Sequence, residues 1–326
     1  MNIFRNANYD FIRWRWHAIV LSLIVVAAGV AAMAIRGLPL GIDFSGGTAL
    51  IVKFEQAVTE DQVRQAVDAG IAGDYVVQQF GNPGDREWLI RLPQAEAVES
   101  GRALEQGAQQ IEAGLQKAGL PKFEVISREV VGPVIGADLQ RKGIYATLAS
   151  ILGITLYIAF RFRFSFAIGA IAATFHDIFV TLAFLVFFGY DLSLNVVAAI
   201  LTITGYSVND TIVVFDRVRE NMRSMRKESL EQVVNTSVNQ TLSRTIITAG
   251  TTFLSVLSLF IFGGEVLRGF AFTMLVGIIS GTYSTIFIAS SIAIILSQRK
   301  HKTISAAGAP DSSARPGRKQ RRARAS

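Results

Sequence analysis

Long apolar blocks without charge constrain this chain more than any other feature. Five of them, Ala18–Ile35, Gly143–Phe160, Leu192–Asn209, Thr245–Gly264 and Gly269–Ser297, contain no Asp, Glu, Lys or Arg. A sixth, Phe164–Tyr190, is broken only by His176 and Asp177. A helix needs about 20 apolar residues to cross ~30 Å of hydrocarbon. Lipid offers no partner for backbone N–H and C=O groups, so blocks of this length cross as helices. The pattern predicts a polytopic α-helical membrane protein with six transmembrane helices. The first block has an Arg-bearing lead and an Ala32-Met33-Ala34 triplet, as a cleaved leader would. It is longer than the 7–15 apolar residues of such leaders. An uncleaved first span over residues 18–36, after a lead of residues 1–17, is therefore expected.

Composition narrows the function classes. The chain has no cysteine, so disulfides and thiolate metal sites are excluded. Its net charge of +7 resides in the segment 299–326, which holds nine Lys/Arg and one acid. The remainder is close to neutral, which argues against a nucleic-acid-binding domain. The basic tail is expected to be disordered and cytoplasmic, where it would set topology and contact anionic lipid or a ribosome. Short-loop Lys and Arg fix orientation. They cluster in the N-terminal lead, at Arg161 and Arg163, at Arg217–Lys227 and in the tail. Both termini are thus expected in the cytoplasm, with residues 37–142 on the outer, periplasmic side.

That outer segment reads as a small α+β domain. Strands are predicted at Thr48–Phe54, Tyr75–Phe80, Glu87–Leu92 and Phe123–Val131. Helices are predicted at Thr59–Ala69, capped by Thr59, and at Ala95–Ala118, stopped by Gly119 and Pro121. The residues Gly81–Asp85 form a turn signal. The order βαββαβ is the ferredoxin-like arrangement. No catalytic constellation stands out in it. Just before it lies Gly41-Ile42-Asp43-Phe44-Ser45-Gly46-Gly47-Thr48. A phosphate-binding loop would end in Lys-Ser/Thr, which is missing. A glycine-rich connection from the first span into the first strand is the reading that remains.

Within the spans, ionisable groups are few. His176 and Asp177 lie in the third, and Asp210 lies in the fourth. Arg244 sits where the fifth begins. A carboxylate at a span's centre costs about 2.5–3.5 kcal/mol on insertion scales, and such groups mark ion or proton pathways. Asp210 and Arg244 both approach from the cytoplasmic side, so a contact between them is expected. Asn209, Tyr206, Ser207 and Thr211 supply neighbouring hydrogen-bonding groups. His176 and Asp177 form a relay or a buried polar network. Gly277-x-x-x-Gly281 lets helices approach closely. Residues 216–241 are predicted to form an amphipathic helix on the cytoplasmic membrane face.

Three stretches together carry a family resemblance: Gly41–Thr48, Gly205–Asn221 (GYSVNDTIVVFDRVREN) and Ser243–Phe253 (SRTIITAGTTF). Spread through a six-span chain with one external domain, they resemble the SecF family of Sec protein-export translocase subunits. The resemblance runs from the first span to about residue 298. It implies pairing with SecD into a twelve-span pump of the resistance-nodulation-division type, associated with SecYEG and other accessory translocase subunits. It implies an inner-membrane location and a role in late export of substrates first pushed by SecA. It also implies coupling to proton or sodium entry through Asp210, with its neighbour Asn209, and Arg244. The family's signature in the outer connection falls on Gly41, Asp43, Gly46 and Gly47. No cofactor and no enzymatic activity are expected. Two other functions stand beside this one. The first is a scaffold that stabilises the translocase without coupling. The second is an intramembrane aspartyl protease using Asp177 and Asp210, although the chain lacks the Gly-x-Gly-Asp pattern of such enzymes.

Overall fold

The computed structural model describes residues 8–71, 75–80, 84–92 and 101–307. It contains six helices long and apolar enough to cross a membrane, as the apolar blocks require. Between the first two lies a four-stranded sheet.

The sheet consists of β1 (Gly47–Phe54), β2 (Val76–Phe80), β3 (Glu87–Leu92) and β4 (Phe123–Val131). Its order is β2-β3-β1-β4, with every neighbouring pair antiparallel. Leu50 faces Ile90 and Val52 faces Trp88 across β1 and β3. Helices α3 (Glu60–Asp68) and α4 (Gly101–Lys117) contribute Val63, Ile111 and Leu115 to a core with these residues. α3 begins with the capping box that Thr59 makes with Gln62. This is the βαββαβ domain expected from the sequence. The first part of the predicted second helix, Ala95–Ser100, lies outside the described residues, as do Gly81–Pro83 of the predicted turn. The sheet's other face carries Ala49, Ile51 and Leu89, which pack on Ile42. Ile42 belongs to the short helix α2 (Ile42–Ser45) at the junction with the bundle.

The spans are α1 (Arg15–Arg36), α5 (Pro133–Arg161), α6 (Phe164–Phe188), α7 (Leu194–Ser224), α8 (Leu230–Phe262) and a composite sixth. The sixth runs through α9 (Glu265–Ser284), a π-helical segment Thr285–Ala289 and α10 (Ser290–Ala307). α5 starts about three turns before the predicted boundary at residue 143. Gly132-Pro133 opens it, and nothing in the polar stretch Asp138–Lys142 breaks it.

Two boundary expectations need correction. Residues 216–241 do not form a separate helix lying on the membrane. α7 continues to Ser224, and α8 starts at Leu230 from a Ser229–Gln232 capping box. The apolar residues Val233, Val234 and Val238 do form a stripe, but it buries against Val214 and Val218 of α7. Over this stretch the two helices cover each other's valines. The second correction concerns the tail. The helix continues past residue 298 to Ala307, and residues 308–326 lie outside the described ones.

Candidate functional site

Two aspartates in neighbouring spans occupy very different surroundings. Asp177, on α6, is 2% exposed. Its carboxylate accepts hydrogen bonds from Ser207 (2.6 Å) on α7 and from Ser280 (2.7 Å) and Ser284 (2.8 Å) on α9. The His176 ring adds a fourth contact, Nδ1 to Oδ1 at 3.1 Å. An ionised carboxylate has about four lone-pair sites, so Asp177 is saturated. The other ring nitrogen of His176 lies 3.0 Å from Ser22 Oγ on α1. Ser22 in turn reaches Tyr283, whose hydroxyl donates to the Ala18 carbonyl at 2.6 Å. Asp177 thus ties four spans into one polar knot.

Glycine makes the knot possible. A Cβ on Gly277 would overlap Ile203, and one on Gly281 would stand 2.9 Å from Ser207 Cβ. The absent side chains bring α9 and α7 close enough for Ser207 to reach Asp177, as the Gly-x-x-x-Gly spacing suggests. Beside the knot, Thr211 and Thr285 share a 2.8 Å hydroxyl contact. Thr285 opens the π-helical segment, whose wider turn recurs at functional sites.

Asp210, three residues beyond Ser207, faces elsewhere. One carboxylate oxygen accepts from Thr245 Oγ1 on α8 at 2.8 Å. The other is buried without a hydrogen-bond partner among the described residues. The expected contact with Arg244 is not made: among the described residues no ion pair within 4.0 Å joins the two. Arg244 is exposed. Successive helical residues point about 100° apart, and α8 is rotated so that Thr245, not Arg244, meets α7. Asn209 is exposed beside Asp210, and Tyr206 is half-buried against Ile203 and Met274. Among the described residues no hydrogen bond connects Asp177 with Asp210, and they share no partner. Two carboxylates sharing a proton, which an aspartyl protease needs, are not assembled.

The same side of the bundle carries a polar stripe. Arg244, Thr248, Thr251, Ser255 and Ser258 of α8 are all exposed. Their spacing of three and four residues places them on one helix face. The four hydroxyls donate back to carbonyls of their own helix. This stripe has no protein cover among the described residues.

The glycine-rich connection joins the sheet to α7. Asp43 Oδ2 accepts from the Leu194 backbone N–H at 2.8 Å, and Ser193 Oγ accepts from the Val196 N–H. Two side chains thus cap the span that carries Asp210. Gly41 donates to the Leu192 carbonyl at 2.8 Å, and Leu192 donates to the Pro39 carbonyl at 2.7 Å. Gly46 and Gly47 have φ of 69° and 119°, a region that glycine adopts readily. Arg91 of β3 pairs with Asp191 in the loop before α7. These contacts join segments far apart in the chain and leave no local signal in it. Ser280 and Ser284 could have been found as Asp177 ligands by their i, i+4 spacing.

A membrane bundle with a buried polar knot, an under-coordinated carboxylate and an external domain tied to the same helix defines a polytopic transport-type membrane protein. The description "Protein export membrane protein SecD/SecF, C-terminal" matches residues 110–299, and "SecD/SecF GG Motif" matches residues 31–58. The chain belongs to the SecD/SecF family of protein export membrane proteins. The Desulfurispirillum indicum protein translocase subunit SecF is 44% identical over 287 residues, covering 87% of this chain and 90% of that one. The Escherichia coli O157:H7 subunit SecF is 38% identical over 296 residues, covering 90% and 89%. Among solved structures, SecDF of Thermus thermophilus superposes with a TM-score of 0.79 at 35% identity. That match covers 90% of this chain and 39% of the SecDF chain. SecDF in its super-membrane-facing form gives 0.66 at 34% identity, with 93% and 40% coverage. This chain therefore spans about two-fifths of those SecDF chains.

Proposed function

We propose that this chain is the SecF half of a proton-driven export pump, completed by SecD. The observation that carries the reading is Asp210: a half-buried carboxylate with one oxygen held by Thr245 and the other without a partner among the described residues. Such a group can take up a proton without breaking its existing hydrogen bond. Arg244, near but not in contact, favours the ionised form when it approaches and the protonated form when it withdraws. The proton fits this site better than sodium, which needs several oxygen ligands at once.

The exposed polar stripe on α8 supports a partner bundle. Polar groups do not face lipid willingly, and a second six-span half would cover them. SecDF joins both halves in one chain, and SecD supplies the missing one here. SecYEG and a SecA-dependent preprotein follow as partners, together with other accessory translocase subunits. The positions of Lys and Arg support an inner-membrane orientation with both termini in the cytoplasm and the sheet domain in the periplasm. The Asp43 cap and the Arg91–Asp191 pair give movement of α7 a route to that domain. Moving one charge through the field is worth about 2.3 kcal/mol per 100 mV. That energy is enough to bias a two-state equilibrium several tens of fold.

The test is gradient-dependent export in vesicles carrying the complete translocase. Asp210→Asn is expected to remove the stimulation by a proton gradient while the complex with SecD still purifies intact. Undiminished stimulation would sink the mechanism. Stimulation that follows a sodium gradient alone would replace the proton with sodium. Failure of the variant complex to assemble would favour the scaffold reading.

A further inference from the structure

At the end of the bundle opposite the sheet domain, α5, α6 and α7 enclose a cavity of about 580 Å³. Its floor is apolar, with Phe166 and Phe215 packed edge to face at 5.0 Å. Its walls are cationic. Arg161 is spoken for, since it donates to both oxygens of Asp216 at 2.7 and 2.9 Å. Arg163, Arg219 and Arg223 line the same cavity, are exposed, and have no side-chain partner among the described residues. The nearby acid Glu220 is engaged by Arg217. Three free guanidiniums therefore converge, one from the α5–α6 turn and two from α7.

Depth matters to what they could hold. Arg163 precedes the 25-residue α6, which places it ~37 Å from that helix's other end at 1.5 Å per residue. Arg219 lies ~37 Å and Arg223 ~43 Å from the start of α7 by the same rise. A ~30 Å hydrocarbon layer beginning at those helix ends would leave all three at the level of lipid phosphates. Around the opening, Phe160 is 89% exposed and Phe164 is 77% exposed. These rings suit acyl chains and would be stranded in water. α5, which forms one wall, is the least buried span of the bundle. The first N–H groups of α6 face the same end, and a helix N-terminus favours an anion.

We propose that this cavity binds the phosphate of an anionic phospholipid, with its acyl chains along Phe160 and Phe164. Setting membrane topology requires only that basic residues lie on one side. It does not require three unpaired arginines from separate segments to meet over an aromatic floor. Basic pockets between spans at this depth are suited to such headgroups. The site is separate from Asp210 and from the basic tail, and it does not depend on ion coupling.

The experiment is native mass spectrometry of the purified full chain with its partner. The probes are dioleoyl-phosphatidylglycerol and zwitterionic dioleoyl-phosphatidylcholine. Wild type should prefer the anionic lipid. The triple variant Arg163→Gln, Arg219→Gln, Arg223→Gln should lose at least about tenfold in that affinity with phosphatidylcholine binding unchanged. An equal charge removal in the tail, Arg318→Gln, Arg321→Gln, Arg322→Gln, should leave it within about twofold. Replacing the three cavity arginines with lysine should restore most of the binding, which separates charge from misfolding. Equal losses in both glutamine triples overturn the proposal, as does a wild type without preference. Competition by inorganic phosphate as effective as that by the lipid also overturns it, in favour of a soluble anion.

Discussion

Asp177 and Asp210 sit on adjacent spans of one bundle, yet one is fully partnered and the other is not. Asp177 has its acceptor capacity filled by four donors from three helices and is nearly inaccessible. Asp210 uses one oxygen, and its other is buried with no hydrogen-bond partner among the described residues. A saturated carboxylate is a structural tie, because any proton it gains must displace a donor. An unsaturated one is suited to carry a proton, because its second oxygen is waiting. Burial alone therefore does not distinguish the two aspartates; the count of partners does.

The largest effect that would test this contrast is on stability. Asp177→Ala should cost about 3 kcal/mol in detergent, because three buried hydroxyls and His176 lose their common acceptor. Thermal unfolding of the purified complex reads it, and a cost no larger than that of Asp210→Ala would erase the distinction. Next, Gly281→Val should cost about 1–3 kcal/mol by forcing α9 away from Ser207. Introducing it into Asp177→Ala should cost about as much again, since the clash with Ser207 does not depend on Asp177. Asp43→Ala should cost about 1 kcal/mol through the lost cap on α7. It should also raise hydrogen exchange at the Leu194 amide while leaving the Asp177 knot protected. The smallest effect is on pH dependence. Burial lifts the Asp191 carboxyl above its ordinary range, although the Arg91 charge pulls it back. A carboxyl raised in the folded state favours folding at pH below the raised value. That contribution is lost as pH rises through it, from the ordinary carboxylate value upward. Asp191→Asn should flatten this slope in thermal-shift profiles; an unchanged slope would mean that other groups set it.

Much of the architecture is legible in the sequence. Uncharged blocks of bilayer length leave little choice but six helices, and Thr59, Gly119 and the alternating strands outline the sheet domain. Asp210 is visible because a carboxylate is conspicuous among apolar residues. Its partner is not, because one residue of helix rotation decides between Arg244 and Thr245, and packing of α8 on α7 sets that rotation. The role of Asp43 is hidden for a different reason. Its acceptor function is fulfilled 151 residues away, where no periodicity connects the two. Residues 216–241 show how an amphipathic pattern reports that an apolar face is covered without saying by what.

The π-helical turn at Thr285–Ala289 divides the last span into two halves with different angular settings. Its one extra residue advances everything after it by roughly 100° relative to an unbroken helix. Ser280 and Ser284 before it face Asp177, while Ala289, its last residue, and Ala293 beyond it pack on Gly169. A single helical wheel drawn through α9 and α10 would scatter these residues around its rim. The span is two wheels on one axle, each with its own phase, and the turn between them lets both halves meet the same helix, α6.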